Sequence, residues 1–373
     1  MFRVSSLEFS VLILSVKSIT LNTPLHLNRF FATGVGSLPH NNPQEACDLV
    51  FRYFKEDIPF WPQLPKRNFK ENMYAQFAQG LPGVVIDQAL KKIYINIDKD
   101  SYAKELESAY EHYLEGALDY FAVGPDYASG LHEFLSRIKE NSSYSFVKGQ
   151  IIGPVSFGLT VTDQNNKASI YNQEFCDCLV KVLAMKARWQ VRKLREAIDA
   201  GRKTQDAGRR TQIIIFIDEP YLVSIGSSFF NIKIEDVARM INELVEAIHS
   251  EGALAGIHCC GNTDWGLVLK TGVDILNFDA YNYLETIFLY RDELDNFFKK
   301  NGILAWGIVP THAKEGLPTI DSLLKKMAPS QDLTKSALKQ KFCFVSPACG
   351  LSGVSLERAE GILALTLKLA RSL

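Results

Sequence analysis

Short apolar runs alternate along the chain with longer stretches whose apolar positions recur every three or four residues. The runs are Phe31–Gly36, Ile58–Trp61, Phe146–Ile152, Ile213–Ile217, Leu254–His258, Asp274–Phe278, Ile303–Gly307 and Phe342–Val345. Each is rich in Ile, Val or Phe, and most close on Gly, Pro or a polar residue, the pattern of a buried strand. Lys104–Phe121, Phe175–Gly201, Asp236–Glu251 and Leu356–Leu373 carry the period of amphipathic helices. Val84–Ile97 (VVIDQALKKIYINI) reads as an additional hairpin. Strands alternating with helices predict an α/β fold with a parallel sheet. Eight strands predict closure into a single (β/α)8 TIM barrel, with the hairpin as an insertion. An open doubly wound sheet would show the same alternation.

The start of the chain is set apart. Phe9–Val16 is an apolar run too short to span a bilayer. Glu8 precedes it and no small-x-small cleavage site follows, which argues against a secretory signal. Residues 1–28 are therefore expected to form a poorly ordered extension, and residues 29–373 the barrel domain.

Composition narrows the function. With 47% hydrophobic and 22% charged residues, wholesale disorder is excluded. The balance of 41 Lys plus Arg against 42 Asp plus Glu leaves no overall basic field to gather nucleic acid or an anionic membrane. Seven cysteines in a chain of this length make a poor disulfide framework. They fit free thiols in a reducing, cytoplasmic compartment, some of them on a metal.

A barrel gathers its chemistry at the C-terminal ends of its strands. The expected ends carry Gly36-Ser37-Leu38-Pro39-His40, Gly153-Pro154, Asp218-Glu219-Pro220, His258-Cys259-Cys260-Gly261-Asn262, Asp279, Val309-Pro310-Thr311-His312 and Ser346-Pro347-Ala348-Cys349-Gly350. In extended backbone, residues i and i+2 point the same way, so His258 and Cys260 can reach one ion while Cys259 points away. Cys349 would arrive from the last strand end and Asp279 from the sixth. Imidazole with two thiolates is a donor set that zinc prefers. A carboxylate at Asp279 would either complete that set or support it from outside. Cys176 and Cys178 lie at a helix start, where i and i+2 diverge, and read as structural; Cys47 and Cys343 read as core.

Four of these segments resemble the catalytic barrel of cobalamin-independent methionine synthase and the zinc-dependent corrinoid methyltransferases of the uroporphyrinogen decarboxylase-like superfamily. His258-Cys259-Cys260-Gly261-Asn262-Thr263 is similar to their His-x-Cys-Gly-Asn-Thr segment. Ser346–Leu351 is similar to the distal zinc-cysteine segment, Ile217–Pro220 to an Asp-Glu-Pro strand end, and Gly36–Pro39 to a Gly-Ser-Phe-Pro turn.

The resemblance implies a zinc-dependent enzyme that transfers a methyl group to a small thiol, homocysteine, giving methionine. It implies His258, Cys260 and Cys349 as ligands. Asp218 would hold the substrate amine, Gly36 and Ser37 its carboxylate, Glu219 would support the pocket, and His312 would match a proton-donating His. The chain departs from the pattern where those synthases have Glu and it has Asp279, and where their Tyr-Asp-x-His-Ser reads Val309-Pro310-Thr311-His312-Ala313. The large amino-terminal half of the full-length enzymes is not in this sequence. On that ground a methyl-corrinoid, delivered by a corrinoid protein partner, is expected as donor in preference to a folate. A competing reading is a metal-free decarboxylase of a tetrapyrrole, which shares the barrel and has no use for the His and Cys residues. A third is a non-catalytic corrinoid- or zinc-binding protein.

Overall fold

A computed structural model describes residues 29–140, 144–202, 211–227, 230–312, 316–330 and 342–373. The expected extension at 1–28 lies outside the described residues, as does Ala313.

Seven strands form one parallel sheet. They are β1 (Arg29–Ala32), β4 (Phe146–Ile152), β6 (Gln212–Asp218), β7 (Leu254–Cys259), β8 (Ile275–Phe278), β9 (Ile303–Val309) and β10 (Phe342–Pro347), paired in the order β1-β10-β9-β8-β7-β6-β4. The Val84–Ile97 hairpin forms as β2 (Val84–Asp87) and β3 (Lys92–Ile95), with the two-residue β5 (Thr162–Asp163) parallel to β3.

The closed eight-stranded barrel expected from the sequence does not form: among the described residues the ladder stops at seven strands, and the sheet is curled without being closed by an eighth. The segment expected as strand two, Ile58–Trp61, lies between β1 and β4 and touches both through isolated bonds. Ile58 N donates to Ala32 O (3.2 Å), Lys148 N to Pro59 O (2.9 Å), Trp61 N to Lys148 O (3.3 Å) and Gln63 N to Gly36 O (3.1 Å). Pro59 and Pro62 explain why no ladder forms, because each removes a donor and fixes φ where a strand needs both free. Asp57 anchors the segment: it accepts from Ala32 N (3.0 Å) and pairs with Arg371 of the last helix.

Strand alternation layers the interior. Phe31, Phe146, Ile214, Leu254, Ile275, Ile303, Phe342 and Phe344 form an apolar plug together with Ile58. Phe31 and Phe146 meet edge to face with centroids 5.1 Å apart, and Phe146 and Phe342 at 5.5 Å. Towards the C-terminal ends the same inward faces become polar, with Lys148 and Gln150 on β4, Asp218 on β6, His258 on β7, Asn277 on β8 and Ser346 on β10. That gradient is what positions the site.

The helices pack outside. Gln173–Gly201 begins at Asn172, whose side chain accepts from Phe175 N, and buries one long face that includes Leu179, Leu183 and Val191. Ile234–Ser250 and Leu356–Ser372 follow the expected pattern. The helix expected over Lys104–Phe121 is shorter, Tyr102–Glu115. Gly116 at φ 68° takes the left-handed conformation and its N–H closes onto His112 O and Tyr113 O, after which Leu118–Phe121 makes a separate turn. No helix among the described residues is long and apolar enough to cross a membrane.

Candidate metal centre

His258, Cys260 and Cys349 meet at the C-terminal end of the sheet, with their ligand atoms all within 4.8 Å of one another. Strand parity brings the first two together. Cys349 comes from the turn after β10, where Ala348 N donates to Val309 O (2.9 Å) and Leu351 N to Ser37 O (2.9 Å). Gly350 permits the close approach, because a Cβ there would overlap the Ser37 hydroxyl. Cys259 points away and its thiol reaches Gly261 O (3.6 Å).

The imidazole of His258 is oriented from behind. Its Nδ1 meets Asn277 Oδ1 at 2.6 Å, and the Asn277 amide donates to Ala305 O (2.8 Å) and Ser346 Oγ (2.9 Å). With the amide nitrogen spent on acceptors, its oxygen faces the ring, so Nδ1 carries the proton. Nε2 is then the lone-pair nitrogen; it is buried and has no hydrogen-bond partner among the described residues. Such an orphaned buried acceptor beside two thiols fits a divalent ion.

The electrostatics agree. The Cys349 thiol and the neighbouring His258 ring hold the Cys260 thiol well below its usual range, against its burial. The bond to Cys260, together with burial, pushes Cys349 up. Burial works against a charged His258, yet the adjacent Cys260 sulfur raises its pKa. A cation in the site would favour two thiolates and a neutral ring.

Two cavities border the trio. The smaller, about 260 Å³, is lined by Ser37, Glu71, Asp218, His258, Cys260 and Cys349. The larger, about 540 Å³, is lined by Cys260, Asp279, Tyr281, His312, Leu317 and Cys349. Asp279 is not part of the trio. It caps the turn Ala280–Tyr283, accepting from Asn282 N (2.9 Å) and Asn282 Nδ2 (2.6 Å). His312 is exposed on the larger cavity's wall.

The adjacent carboxylates Asp218 and Glu219 separate. Glu219 faces away from the smaller cavity and is fully buried, with Oε1 accepting from Val155 N (3.0 Å) and Oε2 from Ser156 N (2.7 Å). It thereby holds the helix start at Pro154; burial still pushes its pKa up to about 7. Asp218 faces the cavity, and its Oδ1 is buried without a hydrogen-bond partner among the described residues. Burial raises its pKa, while the charges of His258 and Lys148 oppose the rise.

Glu71 completes this wall and is absent from the sequence-derived candidates. Its Oε1 accepts from Arg67 Nη1 (2.7 Å) and Ser129 Oγ (2.8 Å), but Oε2 is buried with no hydrogen-bond partner among the described residues. In sequence, Arg67 and Glu71 look like an ordinary i,i+4 surface pair, so no signal marked it. Asn277 did leave a signal, since it is a lone amide at an inward-facing strand position.

No protein-family model matches this chain, and no curated protein does. Among solved structures, a B12-independent methionine synthase from Shewanella sp. W3-18-1, in complex with selenomethionine, is similar over 92% of this chain and 96% of that one, at 14% identity and a TM-score of 0.50. A Cellulomonas fimi endo-beta-1,4-mannanase double mutant matches over 63% of this chain and 58% of that one, at 14% identity and a TM-score of 0.32. At that identity the first likeness is one of fold: a barrel-like α/β sheet with its helices outside.

Proposed function

We propose that this chain is a zinc-dependent methyltransferase that methylates a small amino-acid thiol, homocysteine, to give methionine. One observation carries the reading. A His–Cys–Cys trio with an orphaned imidazole nitrogen shares a small cavity with two buried, unpartnered carboxylate oxygens. The fold likeness to a methionine synthase complexed with selenomethionine supports it.

His258 Nε2, Cys260 Sγ and Cys349 Sγ would hold the ion, three protein ligands being the number that leaves zinc a position for substrate. When bound, zinc supplies a lowered pKa for an acceptor thiol, which is needed because the thiolate and not the thiol is the nucleophile. Asp218 Oδ1 and Glu71 Oε2 accept hydrogen bonds from the substrate ammonium, which has donors to offer both. Ser37 and the Gly36–Ser37 backbone receive the substrate carboxylate. His312, on the larger cavity, would donate a proton to the nitrogen of a folate leaving group; a corrinoid leaving group would keep the bond electrons on its metal and need none. The two cavities meet at Cys260 and Cys349, which suits an in-line displacement with acceptor on one side and donor on the other. A neighbour matched over 96% of its chain is described as B12-independent, so chain size does not select a corrinoid donor. Assay decides between the donors.

The test is zinc per chain in the wild type and in Cys349→Ser, followed by homocysteine methylation with methylcobalamin and with methyl-folate. Near-stoichiometric zinc in the wild type, an affinity at least about 100-fold weaker in the variant, and methionine formed from one donor are expected. Folded wild-type protein that takes up no added zinc overturns the reading and favours a metal-free decarboxylase.

A further inference from the structure

Lys148 is a buried cation that the proposed chemistry does not use. It lies on β4 between Phe146 and Gln150 in the inward register and is only 2% exposed. Its Nζ donates to Val35 O (2.5 Å) and to Gln150 Oε1 (3.3 Å), and lies 5.0 Å from the Phe216 ring centroid and 5.5 Å from that of Phe60. Among the described residues it makes no ion pair at contact distance, although its charge acts on the Asp218 carboxylate. Desolvating an ammonium costs several kcal/mol, and an apolar side chain of similar length would fill the space at no such cost. Packing therefore does not explain a lysine here.

Its contacts lead to the smaller cavity. Val35 lines that cavity and immediately precedes Gly36 and Ser37. Gln150 abuts the same turn, since a Cβ on Gly36 would come within 3.0 Å of its amide carbon. From the other side, Gln63 brackets the turn through Gln63 N to Gly36 O (3.1 Å) and Leu38 N to Gln63 O (2.9 Å). Lys148 thus ties the turn down from inside the sheet and sets a positive charge beneath it. In a medium of low dielectric that charge acts over several ångströms.

We infer that Lys148 is a positioning residue that makes the cavity select an acceptor bearing an α-carboxylate, by holding the Gly36–Ser37 turn and placing a buried positive charge below the carboxylate seat. The inference rests on the amino-acid thiol reading above and names the feature of the substrate that is selected.

The experiment uses zinc-loaded full-length protein and compares, by isothermal titration, homocysteine with its decarboxylated analogue 3-aminopropane-1-thiol. Wild type binds homocysteine more tightly. Lys148→Met keeps its zinc and loses about tenfold of that preference, because the weakening falls on homocysteine alone. Equal weakening of both thiols, the mark of a merely structural role, overturns the inference, as does an unchanged preference. Should Lys148→Met fail to fold, Lys148→Gln carries the same expectation, since it keeps a donor for Val35 O and removes the charge. Wild type that binds neither thiol sinks the site reading and this inference together. Wild type that binds homocysteine, with a variant that keeps the preference, sinks the inference alone.

Discussion

At the start of the strands, Phe31, Phe146, Phe342 and Phe344 fill the interior edge to face and stacked. The polar groups at that end are paired: Asp57 with Ala32 N and Arg371, and Asp274 with Ala255 N and His249. A few residues further along, the inward faces of β6 and β7 present Asp218 Oδ1 and His258 Nε2, and Glu71 Oε2 joins them from outside the sheet, all three buried without partners. An unsatisfied buried polar group costs roughly 1–3 kcal/mol. One fold meets that cost at one end and avoids it at the other. The difference teaches where stability comes from and where a ligand is expected to complete the structure.

The widest separation between the two ends should come from Phe344→Ala. A large-to-small change in the plug costs about 3–5 kcal/mol of stability. Denaturant midpoints should fall accordingly, while the zinc content and homocysteine affinity of the folded fraction stay at wild-type values. A shift in both would show that the plug and the site are not separable.

The next contrast lies within one dipeptide. Asp218→Asn should raise the Kd for homocysteine about 100-fold, because an ammonium loses a charged partner. Stability should change little, since a buried carboxylate without a hydrogen-bond partner is removed together with its attraction to Lys148. Glu219→Gln should do the opposite. An amide side chain has one acceptor oxygen for the two backbone donors Val155 N and Ser156 N, so stability falls by about 1–3 kcal/mol with little change in Kd. Calorimetric titration alongside urea unfolding reads both; matching behaviour of the two variants would collapse the distinction drawn between them.

The smallest effect belongs to the paired end. His249 Nε2 meets Asp274 Oδ2 at 2.7 Å, and this hydrogen bond raises the His249 pKa above its ordinary value. A raised folded-state pKa means the stabilisation is complete below the unfolded value of about 6.5 and fades as pH climbs through the folded value. The pair is partly exposed to solvent, so the contribution is under about 1 kcal/mol. His249→Gln should therefore be less stable than wild type at pH 5.5, with the deficit shrinking as pH rises through the folded-state value. A deficit that grows with pH would contradict the assignment.

Much of this was legible in the chain. Short apolar runs marked the seven laddered strands, because a strand buried on both faces is apolar along its whole length while its side chains still alternate between those faces. The same parity put His258 and Cys260 on one face and Cys259 on the other. The helix boundary at Gly116 was missed because apolar spacing continues through a residue whose backbone turns left-handed. Asp279 looked like a ligand from its strand-end position, but its carboxylate caps its own turn, a local use that spacing does not reveal.

Local pattern thus determined which segments form strands and helices and which way their side chains alternate, since those preferences act between residues close in sequence. Tertiary structure alone decided the rest. It left Ile58–Gln63 bridging β1 and β4 without a ladder, set Cys349 beside Cys260, and turned Glu71 from an apparent surface partner of Arg67 into a wall of the cavity. Those outcomes depend on which distant segments the closing sheet brings within a few ångströms, and no periodicity along the chain encodes that distance.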